Sequence, residues 1–277
     1  MMCELCKQYG EGNRWYLNPR NYARPLYKKA EIGKEREPMI LDEIRAPLNV
    51  IKPLIDLKDN PEAYTKAKDE LAKRQQRMVG QVISLKDARK MAEIALPIAR
   101  IDCICRRNFR ATLEDGVNRL RSCLGLGIGM FRWEEWPERY KGGVEFLSTE
   151  ETQKHIEYWH KQGMVITIMA FGTPFIGGIC LCDYPDCTVI RMRVDYGVKP
   201  FLLKGHEIAK VNYDECIGCG TCVQRCQFGA VKMEITTNKS NIDMTRCFGC
   251  GVCAYTCSKN AISLIDRERL PGLKEEW

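Results

Sequence analysis

The pattern of apolar and polar residues predicts several helices before residue 165, and three of them have clear start signals. These three should span about residues 61–79, 85–96 and 149–162. Asn60 is a suitable N-cap for the first of them, with Pro61 at its first position, and Ser84 begins the second. Ser148 and Glu151 have the spacing of a capping box at the start of the third. These helices predict a folded, mixed region in the middle of the chain.

The longest uncharged run, Met164 to Cys182, predicts a buried strand. The run approaches the length of a membrane span, but β-branched residues alternate over 165–168, and a glycine- and proline-containing segment at 172–178 would break a helix. We therefore expect no transmembrane segment. Ile190, Met192 and Val194 alternate with charged residues, and this alternation predicts a further strand.

Composition points to metal binding inside the cell. The chain has 277 residues and sixteen cysteines, and it opens without an apolar targeting segment, so we expect a reducing cytoplasm rather than a secreted disulfide framework. The formal net charge of +7 would be offset by negatively charged metal clusters, and no nucleic-acid partner is expected. There is also no nucleotide-binding glycine loop and no histidine beside a plausible nucleophile.

Two cysteine runs, 31 residues apart, share the spacing C-x2-C-x2-C-x3-C. The first contains Cys216, Cys219, Cys222 and Cys226, and the second contains Cys247, Cys250, Cys253 and Cys257. A tetrahedral zinc site needs only two C-x2-C pairs, so zinc leaves the third and fourth cysteine of each run unexplained. Repeated glycines beside the cysteines allow close approach of backbone N–H groups to sulfur. The pattern favours two [4Fe–4S] clusters in a duplicated fold.

With these motifs the chain resembles the bacterial ferredoxins that carry two [4Fe–4S] clusters, over about residues 207–265. The resemblance implies a pseudo-twofold arrangement of two short hairpins and two short helices. It also implies the ligand sets Cys216, Cys219, Cys222 and Cys257 for one cluster, and Cys247, Cys250, Cys253 and Cys226 for the other. The chain departs from the family at Gln227 and Ser258, where proline is usual. Our hypothesis is that these residues supply donors near sulfur and raise the cluster potentials.

Six further cysteines predict a third metal site in the middle region. They are Cys103, Cys105, Cys123, Cys180, Cys182 and Cys187. Alternate cysteines on an extended segment would aim both thiols to one side, as expected of ligands. We expect a third iron–sulfur cluster there, with zinc as the alternative, and some of the six could be small buried residues, above all Cys123. Cys3 and Cys6 cannot complete a site alone, and their role is left open.

Together these observations predict an α+β protein. We expect an irregular N-terminal connector over 1–60, a mixed, mainly helical region with the third metal site over 61–206, the two-cluster ferredoxin domain over 207–265 and a tail over 266–277. The chain is similar to the multi-cluster electron-transfer proteins of anaerobes in which a ferredoxin module is fused to a cysteine-bearing domain.

The function expected from this organisation is the transfer of single electrons. The partner would be a flavoprotein or another metalloenzyme, and the two could assemble as a hetero-oligomeric complex. The alternative is a reductase with a catalytic metal centre in the middle region, where Arg106 and Arg107 could bind an anionic substrate. A zinc-stabilised nucleic-acid-binding protein is a third class, and it would need the basic, aromatic segment from Arg14 to Arg24 as its contact surface.

Overall fold

The computed structural model describes residues 3–29, 47–75, 79–109, 119–128, 130, 144–273 and 276–277. In these ranges the α-helices are α1 (Glu4–Tyr9), α2 (Arg24–Lys29), α3 (Pro47–Asp56), α4 (Pro61–Gln75), α5 (Leu85–Ile94), α6 (Ile104–Phe109), α7 (Thr149–Lys161), α8 (Thr188–Val194), α9 (Thr221–Arg225) and α10 (Val252–Tyr255). Short 3-10 helices span Trp15–Leu17, Pro19–Tyr22, Arg119–Ser122, Lys199–Phe201, Arg267–Arg269 and Pro271–Leu273.

An antiparallel six-stranded sheet forms the centre of the region before residue 207. The strands are β1 (Gly80–Val82), β2 (Ile98–Ile101), β3 (Cys123–Leu126), β4 (Glu145–Leu147), β5 (Val165–Ala170) and β6 (Ile176–Cys182). Their order across the sheet is β1-β5-β6-β3-β2-β4. Helices α5 and α7 pack together beside this sheet, and their apolar residues join strand residues and the buried Trp15 and Tyr16 in one core. The fold is α+β, as predicted.

The predicted helix starts agree with the structure. The Asn60 side chain accepts a hydrogen bond from the N–H of Ala63 at the start of α4. Ser84 caps α5, and Ser148 and Glu151 form a reciprocal capping box at α7. Residues 76–78, at the predicted end of the first helix, lie outside the described residues. Strand β5 contains the predicted 165–168 segment and is buried throughout.

The strand predicted at Ile190 to Val194 is wrong, because these residues belong to helix α8. Ile190 and Met192 are both buried, but the N–H of Arg191 bonds to the carbonyl of Cys187 and continues a helical turn. A run of five residues is too short for its periodicity to separate helix from strand. The segment expected to be irregular also contains helices α1 to α3, and Ile51 and Leu54 of α3 pack against Met192.

The part of the chain after residue 206 contains two short antiparallel ribbons and two short helices. Strand β7 (Glu207–Val211) pairs with β10 (Ile262–Asp266), and β8 (Val231–Glu234) pairs with β9 (Lys239–Ile242). Helices α9 and α10 begin inside the two cysteine runs. Within the ranges that the structure describes, no helix combines the length and the apolar character needed to cross a bilayer.

Candidate metal centres

The two cysteine runs after residue 206 have equivalent contacts to the backbone. The Cys216 thiol accepts hydrogen bonds from the backbone of Ser240 and Gly218. The Cys247 thiol accepts them from Ala209 and Gly249, and the Gly249 bond measures 3.4 Å from N to Sγ. Each pair of equivalent residues is 31 positions apart. In both halves, a strand residue of one half of the repeat donates its N–H to a cysteine of the other half. The sequence repeat is therefore also a structural repeat.

Gly218 and Gly249 allow the chain to turn tightly around these thiols. Their φ angles are 72° and 71°, in the left-handed region that favours glycine. A Cβ atom on Gly218 would lie 2.2 Å from the carbonyl oxygen of Asn238, and one on Gly249 would lie 1.9 Å from that of Glu207. Neither position can hold a larger residue without movement of the backbone.

Cys226 of the first run lies beside three cysteines of the second. A cavity is lined by Cys226, Cys247, Cys250 and Cys253, together with apolar residues that include Phe228 and Phe248. The N–H of Ala230 donates to the Cys226 sulfur at 3.3 Å. Burial raises the pKa of Cys250, and it raises the pKa of Cys253 to about 12. Four thiols around a mostly apolar cavity with N–H donors to sulfur fit a [4Fe–4S] cluster.

The first cysteine run is more open to solvent. Cys219 is exposed, and the backbone N–H of Thr221 lowers its pKa. The Ser240 hydroxyl is 2.9 Å from the sulfur of Cys222, so it is placed to donate to a thiolate. Cys257 packs against the same apolar cluster as Cys216 and Cys222.

The side chain of Gln227 connects the cysteine runs to the sheet region. Its Nε2 donates to the carbonyl of Gly163 at 2.6 Å, and its Oε1 accepts from the N–H of Tyr184 at 2.8 Å. Ser258, the equivalent residue in the second run, is exposed. Both side-chain groups of Gln227 are thus directed at backbone groups, so the side chain is not the donor to sulfur that the sequence hypothesis allowed, and the part of the hypothesis that concerns its backbone N–H stays a prediction.

The six middle cysteines form a closed ring of neighbouring thiols, all of them free of disulfides. Hydrogen-bonding contacts join successive members in the order Cys103, Cys123, Cys180, Cys182, Cys187, Cys105 and back to Cys103. Four of the six are buried, and Cys105 and Cys180 are partly buried. We refer to this group as the thiol ring. Cys123, which could have been an isolated core residue, is a member of it.

Strand register and two turns bring the ring together. Leu124 of β3 lies opposite Ile179 of β6, which puts Cys123 beside Cys180. Cys180 and Cys182 alternate along β6, so both thiols point to the same side, as predicted. Cys103 and Cys105 differ from the prediction, since Cys105 lies in the first turn of α6 and not on an extended segment.

A buried arginine offsets negative charge beside the ring. Arg106 is 1% exposed and donates to Asp183 Oδ1 at 2.9 Å and to the carbonyl of Leu181 at 2.8 Å. Burial alone would lower its pKa, but the nearby Cys103 and Asp183 hold the pKa of Arg106 above its usual value. Hydrogen bonds from neighbouring thiols, first Cys103 and Cys180, lower the pKa values of Cys105 and Cys182. Six sulfur donors beside a cation fit a thiolate-bound metal centre.

One apolar cluster connects the thiol ring to the second cysteine run. It contains Cys182 and Cys187 of the ring, with Cys180 packed against it, and Cys226 and Cys250 pack against its other members. Within it the rings of Phe228 and Phe248 stack at 4.1 Å between centroids with an interplanar angle of 11°. The two groups of thiols are therefore separated by packed side chains and not by solvent.

Comparison with protein families agrees with this geometry. Residues 209–232 match the 4Fe-4S binding domain, and this match includes all four cysteines of the first run. A search of curated proteins found no match to the chain. The match indicates at least one [4Fe–4S] cluster, and it supports an iron–sulfur, electron-transfer role.

One residue near a cysteine pair was missed by sequence reasoning. His206 lies beside Cys3 and Cys6, whose role the sequence left open. It is a single histidine about 200 residues away along the chain, and no local motif connects it to the pair. Only the folding of the N-terminal segment onto the start of β7 reveals the association.

Proposed function

We propose that the protein transfers single electrons through two [4Fe–4S] clusters and a third, thiolate-bound centre. Cys216, Cys219, Cys222 and Cys257 would hold the first cluster. Cys247, Cys250, Cys253 and Cys226 would hold the second. The equivalent N–H contacts to Cys216 and Cys247 and the cavity beside Cys226 support this crossed assignment. The clusters supply the redox chemistry, and the chain supplies thiolates, donors to sulfur and apolar packing.

The third centre would be held by the thiol ring. A cubane needs four thiolates, so the ring has enough ligands for one. A cubane and a single zinc ion would each use four of the six thiols, and we favour iron–sulfur because the ring shares an apolar cluster with Cys226 and Cys250. Arg106 would partly balance the negative charge of such a centre.

The observation that carries the proposal is the apolar cluster shared by the ring and the second cysteine run. Electron transfer needs donor and acceptor centres that are close together, and burial together with hydrogen bonding to sulfur sets their potentials. The stacked pair Phe228 and Phe248 belongs to this cluster and also lines the cavity beside Cys226. We infer a path from the first cluster through the second to the ring.

A redox partner would dock at the first cysteine run, where Cys219 is exposed. Large apolar side chains are also exposed in this part of the chain, Tyr213 at 47%, Ile217 at 59% and Ile235 at 95%. These features suit contact with a flavoprotein or another metalloenzyme. The alternative of a reductase that binds its substrate through Arg106 is less well supported, because that guanidinium is already bonded to Asp183 and to the backbone.

Iron and acid-labile sulfide content tests the proposal. The anaerobically purified protein should contain about twelve irons per chain, and a variant with Cys103, Cys105, Cys180 and Cys182 all changed to Ala should contain about eight. The matched variant Cys257→Ala should lose about four irons from a different centre and retain the ring. About eight irons both in the wild type and in the four-cysteine variant would overturn the third iron–sulfur centre, and about four in the wild type would overturn the second cluster.

A further inference from the structure

Cys3, Cys6 and His206 bring two sulfur atoms and one nitrogen together in the interior. The two Sγ atoms are 3.2 Å apart, and the Nε2 of His206 lies 3.7 Å from Cys3 Sγ and 3.3 Å from Cys6 Sγ. The three residues are 3%, 1% and 4% exposed. They are the only group of three or more histidine, cysteine or acidic ligand atoms within 4.8 Å of one another in the described ranges.

Local structure fixes the two thiols on one side of α1. Cys3 immediately precedes this six-residue helix and Cys6 lies in its first turn, so their spacing of three puts them on the same face. The Cys3 side chain makes no capping hydrogen bond to α1, and its sulfur is directed to the cysteine and histidine. The backbone N–H of Trp15 donates to Cys6 Sγ at 3.3 Å. Such a donor is typical of the groups that surround a metal-bound thiolate.

His206 is held by contacts of its own. Its carbonyl accepts a hydrogen bond from the N–H of Arg267 at 2.8 Å. Its ring lies between those of Tyr16 and Trp277, at 5.8 and 4.9 Å from their centroids. Two aromatic rings therefore contact the imidazole independently of any ion. Helix α1 meets this histidine across 200 residues of sequence.

We propose that Cys3, Cys6 and His206 bind one zinc ion that fastens the N-terminal segment to the start of the ferredoxin-like part. Two thiolates and one imidazole are a usual zinc donor set, in which a water molecule would supply the fourth ligand, and tetrahedral coordination with Zn–S bonds of about 2.3 Å separates two sulfurs by about 3.8 Å. The donor separations of 3.2 to 3.7 Å are close to that value. A [4Fe–4S] cluster takes four thiolates, and two thiolates with one imidazole suit a single zinc ion better.

Metal analysis of the holoprotein tests this site. The wild type should contain about one zinc per chain, and His206→Ala and Cys6→Ser should lose it while the iron content stays unchanged. His160→Gln is the matched control, because His160 is also 1% exposed but bonds to the carbonyl of Met164 and lies in α7. That variant should keep its zinc. A wild type without zinc, or zinc retained in His206→Ala, would overturn the proposal.

X-ray absorption at the zinc edge tests the wild type directly and does not depend on the variants folding. The proposal expects two sulfur neighbours at about 2.3 Å and at least one nitrogen at about 2.0 to 2.1 Å. Four sulfur neighbours would locate the zinc in the thiol ring and overturn the assignment. If the wild type contained no zinc and His206→Ala lost iron, these residues would be iron ligands and the proposal would be overturned. The proposed electron path is tested separately, by the iron content of the wild type and of the four-cysteine variant.

Discussion

The two cysteine runs share their cysteine spacing and two glycines but lie in different surroundings. Cys216 and Cys247 accept equivalent backbone hydrogen bonds. For Cys216 the effect of burial is outweighed by the donors, first Ser240, and its pKa lies below the usual value. For Cys247 burial prevails and raises the pKa. The repeat sets the ligand geometry, whereas contact with the sheet region sets the polarity around each thiol.

This difference suggests a division of roles. The first run is exposed at Cys219 and suits the entry or exit of electrons at a protein surface. The second run packs against the thiol ring through the cluster that contains Phe248. Equivalent positions in the two runs provide matched variants for testing this division, since one member of each pair contacts the sheet region and the other is exposed.

The largest expected effect comes from Phe248→Ala. Phe248 is 7% exposed and stacks on Phe228, so its truncation should reduce the free energy of unfolding by about 3–5 kcal/mol. Ile217 occupies the same position in the first run and is 59% exposed. Ile217→Ala should change the free energy of unfolding by less than about 0.5 kcal/mol. Anaerobic guanidinium titration followed by tryptophan fluorescence measures both, and equal changes would contradict the proposed asymmetry.

A smaller effect is expected from Gln227→Ala. The substitution removes two hydrogen bonds, to the Gly163 carbonyl and the Tyr184 N–H, and should lower the free energy of unfolding by about 1–2 kcal/mol. Ser258→Ala is the control, because Ser258 is the exposed equivalent in the second run. The same denaturant titration applies. If the two variants were equally stable, Gln227 would not hold the two parts of the chain together.

The smallest effect is expected on a redox potential. In Ser240→Ala the hydroxyl next to Cys222 Sγ is lost, and a donor to sulfur stabilises the reduced, more negative cluster. We expect the potential of the first cluster to fall by roughly 40 mV, which corresponds to one hydrogen bond of about 1 kcal/mol in a one-electron couple. An EPR-monitored redox titration measures this shift.

Ser263→Ala is the control for that titration, since Ser263 is an exposed serine on β10. Its potential should match that of the wild type. A rise in the potential of Ser240→Ala, or the same shift in both variants, would contradict the assignment of the Ser240 hydroxyl as a donor to the first cluster.

Local signals in the sequence predicted part of this fold well. The caps at Asn60, Ser84 and Ser148 each depend on residues within one helical turn, and all three are present. The sheet was harder to predict. Strands β1 to β4 have only three or four residues each, too few to show a period, and their order depends on contacts between distant segments. For the same reason helix α8 was mistaken for a strand.

The sequence by itself determined that the thiols within each cysteine run lie close together, because C-x2-C spacing limits how far apart neighbouring thiols can lie. It also singled out the six middle cysteines, without their arrangement. Only the tertiary structure decided that these six form one ring, that Gln227 bonds to the sheet region and that His206 meets Cys3 and Cys6. The physical reason is that these contacts join residues up to 203 positions apart, and packing and strand register create them.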